Sequence, residues 1–321
     1  MLIVPEAACP GLLPFDAAFD AVEAVFAAMA RGEAYNFPVI REAIGHADAL
    51  YGFKGGFDRA GAALGLKAGG YWPHNQEKNL INHQSTIFLF DPDTGRVQAA
   101  VGGNYLTAAR TAAASAVSIK HLARADAKVL GMVGAGHQSA FQMRAALRQR
   151  KFEKVIGWNL HPEMLSRLAE TAAEAGLPFE AVELDRLGAE ADVIITITSS
   201  FAPILMADHI RPGTHLACMG TDTKGKQEVD PGLLAKAAVF TDEVAQSISI
   251  GEAQHAIAQG LITEAAITPL GAVIAGTRPG RAGPEAITLF DGTGVALQDL
   301  AVAATVVARA RAEGLATEVA I

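Results

Sequence analysis

The chain has 321 residues, of which 50% are hydrophobic and 19% are charged, and its formal net charge is −8. This composition is typical of ordered globular proteins and excludes the disordered and fibrous classes. Because no segment concentrates Lys and Arg, we expect no nucleic-acid partner.

The length allows two domains, since domains usually contain roughly 100–200 residues. The only two cysteines, Cys9 and Cys218, form neither a disulfide framework nor a ligand set, which favours a reducing compartment. The first thirty residues lack the basic start and unbroken apolar core of a secretory signal. The apolar run at 300–308 is far shorter than the ~20 residues that cross a bilayer. We therefore expect a cytoplasmic protein without a membrane segment.

An amphipathic helix is predicted at residues 15–31, where apolar side chains recur at helical spacing. Segments with strand character follow at 49–57, 63–72 and 85–103. The last of them contains DPDTG between two apolar runs, and its Pro and Gly predict a hairpin turn. The N-terminal third is therefore expected to form a helix and a mainly antiparallel sheet.

A helical pattern from Leu106 leads to the segment KVLGMVGAGHQSAF at 128–141. A short apolar strand ends there in Gly134-Ala135-Gly136, and an Ala-rich helix follows, with Ser139 in the third small position. In the dinucleotide-binding fingerprint, glycines at such positions let the backbone approach a pyrophosphate at a helix N-terminus. The segment therefore predicts a phosphate-binding turn.

Strands and helices alternate after this turn. Strands are predicted at 154–159, 179–184, 191–198, 214–220, 237–242 and 286–291, and helices at 162–176, 246–262 and 295–313. Continuous apolar strands of this kind are typical of a parallel, doubly wound α/β sheet, the Rossmann fold. The final helix has no partner left in the nucleotide domain, so we expect it to return to the N-terminal domain.

Two cations lie in apolar surroundings, Lys67 within LGLKAGG and Arg110 within an Ala-rich helix start. Each would bury an unpaired charge unless an anion meets it, and a substrate carboxylate would meet both. Asp222 follows the strand at 214–220, at the sheet edge where doubly wound folds bind ligands, although a turn or capping role fits it equally well. The His and Asn residues at 74–84 lack metal-ligand spacing, so no metal site is expected.

The position that usually carries the ribose-binding acid, at the end of the second parallel strand, reads Trp158-Asn159-Leu160-His161. An Asp there would favour NAD and a nearby Arg would favour NADP, and neither is present. Asn159 can still hydrogen-bond a ribose hydroxyl, so NADH is favoured and NADPH is the alternative. The predicted cofactor site is completed by four residues at strand ends: Thr198, Met219, Gly220 and Gly292.

Five long segments together resemble the ornithine cyclodeaminase/mu-crystallin family over nearly the whole chain: LGLKAGGYWPHN, QSTIFLFDPDTGRVQAAVGGNYLTAARTAAASA, VLGMVGAGHQSAFQ, MGTDTKGKQEVD and ITLFDGTGVALQDLAV. The resemblance implies a homodimer in which a substrate-binding and dimerisation domain, 1–115 with 292–321, accompanies a Rossmann domain at 116–291. It also implies one of the family's reactions, which are imine reduction with NAD(P)H, cyclic deamination of ornithine and dehydrogenation of alanine.

The resemblance implies site residues as well. The carboxylate-binding set falls on Arg41, Lys67, Thr86 and Arg110, and the catalytic Asp falls on Asp222; we count Lys67 as a second catalytic residue. The phosphate loop falls on Gly134, Ala135, Gly136, His137, Gln138 and Ser139.

One departure from the family concerns the substrate. Ornithine cyclodeaminases carry a Glu for the distal ammonium of ornithine eleven residues after the first Arg; here that position is Gly52, with Lys54 two residues later. An acid lost and a cation gained disfavour ornithine and favour a second carboxylate. In detail, YNFPV, HADALYGFKGGFD, GGYWPHN and NLINHQSTIFLFDPDTGRV resemble the branch that reduces iminosuccinate to L-aspartate in the β-hydroxyaspartate cycle.

The expected substrate is therefore a dicarboxylic imino acid. Arg41, Lys67 and Arg110 would hold its α-carboxylate and Lys54 its second carboxylate. Asp222 would hydrogen-bond the imine nitrogen while a hydride reaches the C=N carbon. Two alternatives stay open: another family reaction (alanine dehydrogenase, ketimine reductase or ornithine cyclodeaminase), or a crystallin-like nucleotide-binding protein without turnover.

Overall fold

The structure, a computed structural model, describes residues 1–320. The strands are β1 Leu2–Val4, β2 Ala34–Asn36, β3 Ile40–Ala43, β4 Leu50–Asp58, β5 Ala63–Tyr71, β6 His83–Phe90, β7 Val97–Gly102, β8 Val129–Val133, β9 Lys154–Trp158, β10 Phe179–Ala181, β11 Val193–Thr196, β12 Phe201–Leu205, β13 His215–Cys218, β14 Gln227–Val229, β15 Ala238–Thr241, β16 Ile267–Pro269, β17 Thr288–Asp291 and β18 Thr317–Glu318. The helices are α1 Cys9–Leu12, α2 Phe15–Ala30, α3 Asn104–Leu122, α4 Ser139–Leu147, α5 Ser166–Glu174, α6 Leu184–Glu190, α7 Pro231–Lys236, α8 Val244–Ile250, α9 Ala253–Ala258, α10 Leu270–Ile274 and α11 Ala296–Glu313. Short 3-10 helices occupy Glu6–Ala8, Asn75–Lys78, Pro162–Leu165 and Glu264–Ala266.

The chain forms two compact units. Unit 1 combines Met1–Arg110 with the described residues from Val295 onward, and unit 2 is Thr111–Gly294. Among residues 1–320, no helix has the length and apolarity that a membrane crossing requires.

Unit 1 is built on a sheet with the strand order β18-β1-β7-β6-β5-β4-β2, and β3 pairs with the rest of β4. Every pair is antiparallel except β1 with β7, so the predicted mainly antiparallel sheet is confirmed. The predicted hairpin joins β6 to β7. Its Gly95 has a φ of 73° and donates its N–H to the Asp91 carbonyl at 2.8 Å.

The register of this sheet defines two faces. Residues directly opposite each other on paired strands point to the same side, and Lys54 pairs with Lys67, which pairs with Ile87. We call this side the inner face. Helix α11 packs on it, since a Cβ added at Gly56 would lie 3.1 Å from Leu297 Cδ2. Glycines in β4 and β5 therefore let α11 approach the strands closely.

Unit 2 is built on a fully parallel sheet with the order β10-β9-β8-β11-β13-β17-β15-β16, which confirms the doubly wound α/β prediction. The strand order reverses between β8 and β11, and ligands of such folds bind at this switch point. The predicted glycine turn directly follows β8. A separate two-stranded parallel sheet pairs β12 with β14.

Several short elements of unit 2 differ from the sequence prediction. Helix α6 begins at Leu184, where the end of a strand is predicted. Its Gly188 packs against the backbone at His209, since an added Cβ would be 2.5 Å from His209 O. The helix predicted at 246–262 is two helices, α8 and α9. They are separated at Gly251, where a Cβ would lie 2.5 Å from Asp291 Oδ2. Helices α7 and α10 and strands β12, β14 and β16 were also not predicted, because tertiary contacts rather than long apolar patterns define such short elements.

The close packing of α11 is testable at Gly65. A methyl group there would lie 2.9 Å from Leu300 Cδ2 and would also meet the Phe88 carbonyl. Gly65→Ala should lower the free energy of unfolding by about 1–3 kcal/mol, the usual cost of overpacking, as measured by urea denaturation. Gly11→Ala is the control, since a Cβ at Gly11 meets nothing within 4 Å. Equal stability of the two variants would contradict this packing.

Candidate active site

The centre of unit 1 is a buried ion-pair network on the inner face. Lys67 Nζ lies 2.7 Å from Asp299 Oδ2, and Arg110 Nε lies 2.9 Å from Asp299 Oδ1. Arg110 Nη1 also donates to Gln298 Oε1 at 2.9 Å, and Lys67 Nζ donates to Thr107 Oγ1 at 3.4 Å. Strand β5, helix α3 and helix α11 thus each contribute a charged side chain to one point.

The environment changes how these groups hold their protons. Burial lowers the pKa of Lys67 to about 7, and the cations Arg110 and Lys54 lower it too, while Asp299 opposes them. Burial alone would raise the pKa of the Asp299 carboxyl, but Arg110 and Lys67 hold it below its usual value. Lys67 can therefore gain or lose a proton near neutral pH, and Asp299 stays ionised.

Asp299 and Gln298 were missed in the sequence, and Asp299 changes one expectation. Lys67 and Arg110 are not buried without an anion, because Asp299 lies between them. Three cations still accompany this one carboxylate, since Lys54 pairs directly opposite Lys67 on β4 and β5 and interacts electrostatically with both Lys67 and Asp299. The only available signal was an acidic residue inside the Ala- and Val-rich helix pattern.

The strand register places two of the predicted substrate-binding residues, Arg41 and Thr86, on different faces of the sheet. Arg41 pairs with Gly52, Gly52 with Gly69, and Gly69 with Ser85, so Arg41 and Ser85 share the face of Lys67. Thr86, in contrast, pairs with Ala68, which pairs with Phe53, and therefore points to the opposite face.

Thr86, which the family resemblance implies as a carboxylate-binding residue, therefore lies on the face of the sheet away from Lys67, because successive side chains of a strand alternate between faces. Ser85, the residue before it, lies on the same face of the sheet as Lys67. Its Oγ is buried and has no hydrogen-bond partner among the described residues.

The glycine turn of unit 2 has the shape of a phosphate cradle. Gly134 has a φ of 106°, and a Cβ there would lie 2.7 Å from Ile197 O, so only glycine fits between β8 and β11. At Gly136 a Cβ would meet no atom within 4 Å. The open space at Gly136, next to the first turn of α4, suits a ligand phosphate.

Other predicted cofactor residues hold this turn in place. Ser139 Oγ donates to Gly136 O at 2.8 Å. The Asn159 amide accepts from Ala135 N–H at 3.0 Å and donates to His161 O at 2.8 Å, so Asn159 fastens the turn to the end of β9. His137 and Gln138 lie in the turn itself, and His137 is exposed.

A buried carboxylate that was missed in the sequence joins the ends of β11 and β13. Glu228 accepts hydrogen bonds from Thr196 Oγ1 at 2.7 Å, Thr198 N–H at 2.6 Å and Gly220 N–H at 2.8 Å. Glu252 in turn accepts from the Glu228 N–H at 2.8 Å. Burial raises the pKa of both carboxyls. Two predicted cofactor residues, Thr198 and Gly220, are therefore positioned by Glu228.

Asp222 follows these strand ends. Its Oδ1 lies 2.9 Å from Lys226 Nζ and accepts from Thr223 Oγ1 at 3.2 Å. Lys226 Nζ also donates to Gly220 O at 3.2 Å, so the Asp222 loop is tied to the end of β13. Met219 lies beside Gly292, where a Cβ would be 2.6 Å from Met219 Cε. The structure thus groups Asp222, Met219, Gly220 and Gly292 at the carboxyl edge of the sheet, as the strand pattern indicates.

Comparisons with known proteins agree with these features. The model of the ornithine cyclodeaminase/mu-crystallin family matches residues 7–314. An iminosuccinate reductase from Paracoccus denitrificans is 72% identical over all of both chains. The crystal structure of the Paracoccus denitrificans iminosuccinate reductase in complex with NAD+ has a TM-score of 0.97 and covers 100% of this chain and 99% of its own.

Two solved structures of lower identity also match. An archaeal alanine dehydrogenase dimer with bound NAD is 30% identical, with a TM-score of 0.95, and covers 100% of this chain and 99% of its own. The Delta(1)-pyrroline-2-carboxylate reductase of Thermococcus litoralis, in complex with NADH and L-proline, is 27% identical. Its TM-score is 0.94, and it covers 99% of this chain and 100% of its own.

The electrostatics of Lys67 can be measured directly. The experiment is an NMR titration of the lysine side chains, in which the signal of Lys67 is assigned by its absence from the Lys67→Arg variant. The chemical shift of this signal should change with a midpoint near pH 7, because burial and two neighbouring cations disfavour the ammonium form. Lys128, whose pKa is raised by Glu153, is the internal control and should stay protonated throughout the neutral range. A Lys67 midpoint above about pH 9, near that of a free lysine, would contradict this account.

Proposed function

The chain belongs to the ornithine cyclodeaminase/mu-crystallin family, and from this premise we propose that it is an NAD-dependent imine reductase that converts iminosuccinate to L-aspartate. The main support for the proposal is the 72% sequence identity with the Paracoccus iminosuccinate reductase over the full length of both chains. A group of three cations, the buried Lys67 and Arg110 and the partly buried Lys54, supports it, since a dicarboxylic substrate brings two negative charges.

In this proposal, different cations of unit 1 bind the two carboxylates of the substrate. Arg110 and Lys67 bind the α-carboxylate, with Arg41 on the same face of the sheet. Lys54 binds the second carboxylate, because it occupies the neighbouring strand directly opposite Lys67. Charge-assisted hydrogen bonds of this kind fix the position of the C=N carbon and remove the search for a reactive geometry.

Reduction of the imine requires a hydride at carbon and a proton at nitrogen. Bound NADH supplies the hydride. Asp222 hydrogen-bonds the imine nitrogen and stabilises its protonated, more electrophilic form. Lys67 is the second catalytic residue, because with a pKa of about 7 it can hold or give a proton at neutral pH. The products are L-aspartate and NAD+.

Unit 2 supplies the cofactor site in this proposal. The turn from Gly134 to Ser139 receives the pyrophosphate, and Thr198, Met219, Gly220 and Gly292 contact the cofactor further along the strand ends. Asn159 both fastens the turn and lies where a ribose hydroxyl is expected. The following residue, Leu160, is 73% exposed and uncharged, so it offers no cation for the 2′-phosphate of NADPH, which favours NADH.

We also propose that the protein is a homodimer, with unit 1 as the substrate-binding and dimerisation domain and unit 2 as the Rossmann domain. The face of the unit 1 sheet opposite Lys67 carries three exposed large apolar side chains: Phe53, its direct partner Ile40 on β3, and Tyr35 on β2. Clustered exposed apolar side chains mark association surfaces. The archaeal alanine dehydrogenase to which this chain is similar forms a dimer.

A coupled assay tests the function. Purified protein should oxidise NADH rapidly with oxaloacetate plus ammonia, which form iminosuccinate, and slowly with pyruvate plus ammonia. Faster oxidation with pyruvate would favour the alanine dehydrogenase alternative. Turnover of ornithine with NAD would overturn the proposal, and so would NADH binding without any turnover.

Lys54 should determine the preference for a dicarboxylate. Lys54→Met removes the partner of the second carboxylate, which typically costs about 2 kcal/mol or more, so KM for the oxaloacetate–ammonia mixture should rise at least ~10-fold. Rates with pyruvate plus ammonia should not fall. The control is Lys151→Met at an exposed lysine of unit 2. An unchanged ratio of the two substrates in Lys54→Met would refute this role.

The glycine turn can be tested without damage to the fold. Gly136→Val should weaken NADH binding by ~10-fold or more, because its side chain fills the phosphate space, yet thermal stability should be retained. Intrinsic and NADH fluorescence report the two quantities. Gly283→Ala, another glycine with nothing within 4 Å of an added Cβ, should change neither. Normal NADH affinity in Gly136→Val would place the pyrophosphate elsewhere.

A further inference from the structure

Asp299 is the anion at the centre of the cation group, and no part of the proposed reaction yet uses it. Its two oxygens are divided between Lys67 Nζ and Arg110 Nε, at 2.7 and 2.9 Å. The side chain is fully buried, and the residues on either side, Gln298 and Leu300, are fully buried too.

We infer that Asp299 is a positioning residue of the substrate clamp: it orients Lys67 and Arg110 and keeps Lys67 charged for the substrate carboxylate. This inference rests on the proposed function, since it concerns how the same substrate is bound.

The hydrogen bonds show how the orientation arises. Arg110 uses Nε for Asp299 and Nη1 for Gln298, so the edge of the guanidinium that carries Nε is fixed and Nη2 is left for a ligand. Lys67 Nζ forms an ion pair with Asp299 Oδ2 at 2.7 Å and donates one of its three N–H groups to Thr107 Oγ1 at 3.4 Å. Both cations are therefore held from the helix side, and each retains a donor for a carboxylate.

The charge of Lys67 depends on the same contact. The groups that act on it are Asp299 from α11, Arg110 and Thr107 from α3, and Lys54 from β4. Of these, only Asp299 is an anion. If it were neutral, burial and the two cations would move the pKa of Lys67 below about 7, and the clamp would lose a positive charge at neutral pH.

A purely structural role for Asp299 predicts something different. An ion pair that only ties α11 to β5 and α3 would, when broken, lower the amount of folded protein but leave the substrate affinity of the folded molecules unchanged. A positioning role predicts a loss of substrate affinity that grows with pH, because a neutral Lys67 can be protonated again in acid. The pH dependence of ligand binding therefore separates the two.

The test uses Asp299→Asn in the full-length protein, with succinate as an unreactive dicarboxylate inhibitor. Its inhibition constant is measured at several pH values from about 6 to about 8.5, the range over which Lys67 titrates. We expect it to rise at least ~10-fold near pH 8 and markedly less near pH 6, with unchanged NADH affinity. Thr305→Val, a partly buried position on the same helix, is the matched control and should follow the wild type. A loss of the same size at every pH, or no loss, would overturn the inference.

Asp299→Glu covers the case in which the Asn variant does not fold. It keeps the charge and displaces it by one methylene, so KM should rise while the pH dependence remains that of the wild type. An unchanged KM would refute the orienting role. Failure of the proposed function is distinguishable, because the wild-type protein itself would then not reduce iminosuccinate.

Discussion

The contact of Asp299 with Lys67 and Arg110 is the interaction on which unit 1 depends. A buried Lys and a buried Arg are each costly to desolvate, and two like charges side by side are costlier still. A single carboxylate reduces that cost without removing the positive character of the site, because Lys54 adds a third cation nearby. The folded protein can therefore bury this network without a ligand, and the excess positive charge can still bind an anion.

This network requires α11 to lie close to the sheet, and glycines make that possible. Gly56 and Gly65 face Leu297 and Leu300 at distances that leave no room for a Cβ. With side chains at those positions the helix would stand further off, and Asp299 could not reach Lys67 at 2.7 Å. Local backbone composition in β4 and β5 thus governs the electrostatics of the site.

Patterns along the chain predicted the two sheets, the hairpin and the glycine turn, because each depends on residues that are neighbours in sequence. Asp299 could not be found in this way. It lies 189 residues from Arg110, and only the folded chain joins them. The side to which Thr86 points could not be found in this way either, because a shift of one residue in strand register reverses it and the register is set by pairing between strands. The short helices and strands of unit 2 depend on close tertiary contacts, as at Gly188, that no local periodicity reveals.

In the proposed function, the burial of Lys67 also links substrate binding to protonation. In the proposed function a substrate carboxylate approaches Lys67, and an added negative charge favours the ammonium form of a lysine whose pKa is about 7. Binding would then draw a proton onto Lys67 at the moment when the imine needs one nearby. A monocarboxylate brings less negative charge to Lys54, Lys67 and Arg110, so it would promote proton uptake by Lys67 less. Substrate choice and proton supply would therefore follow from one arrangement of charges.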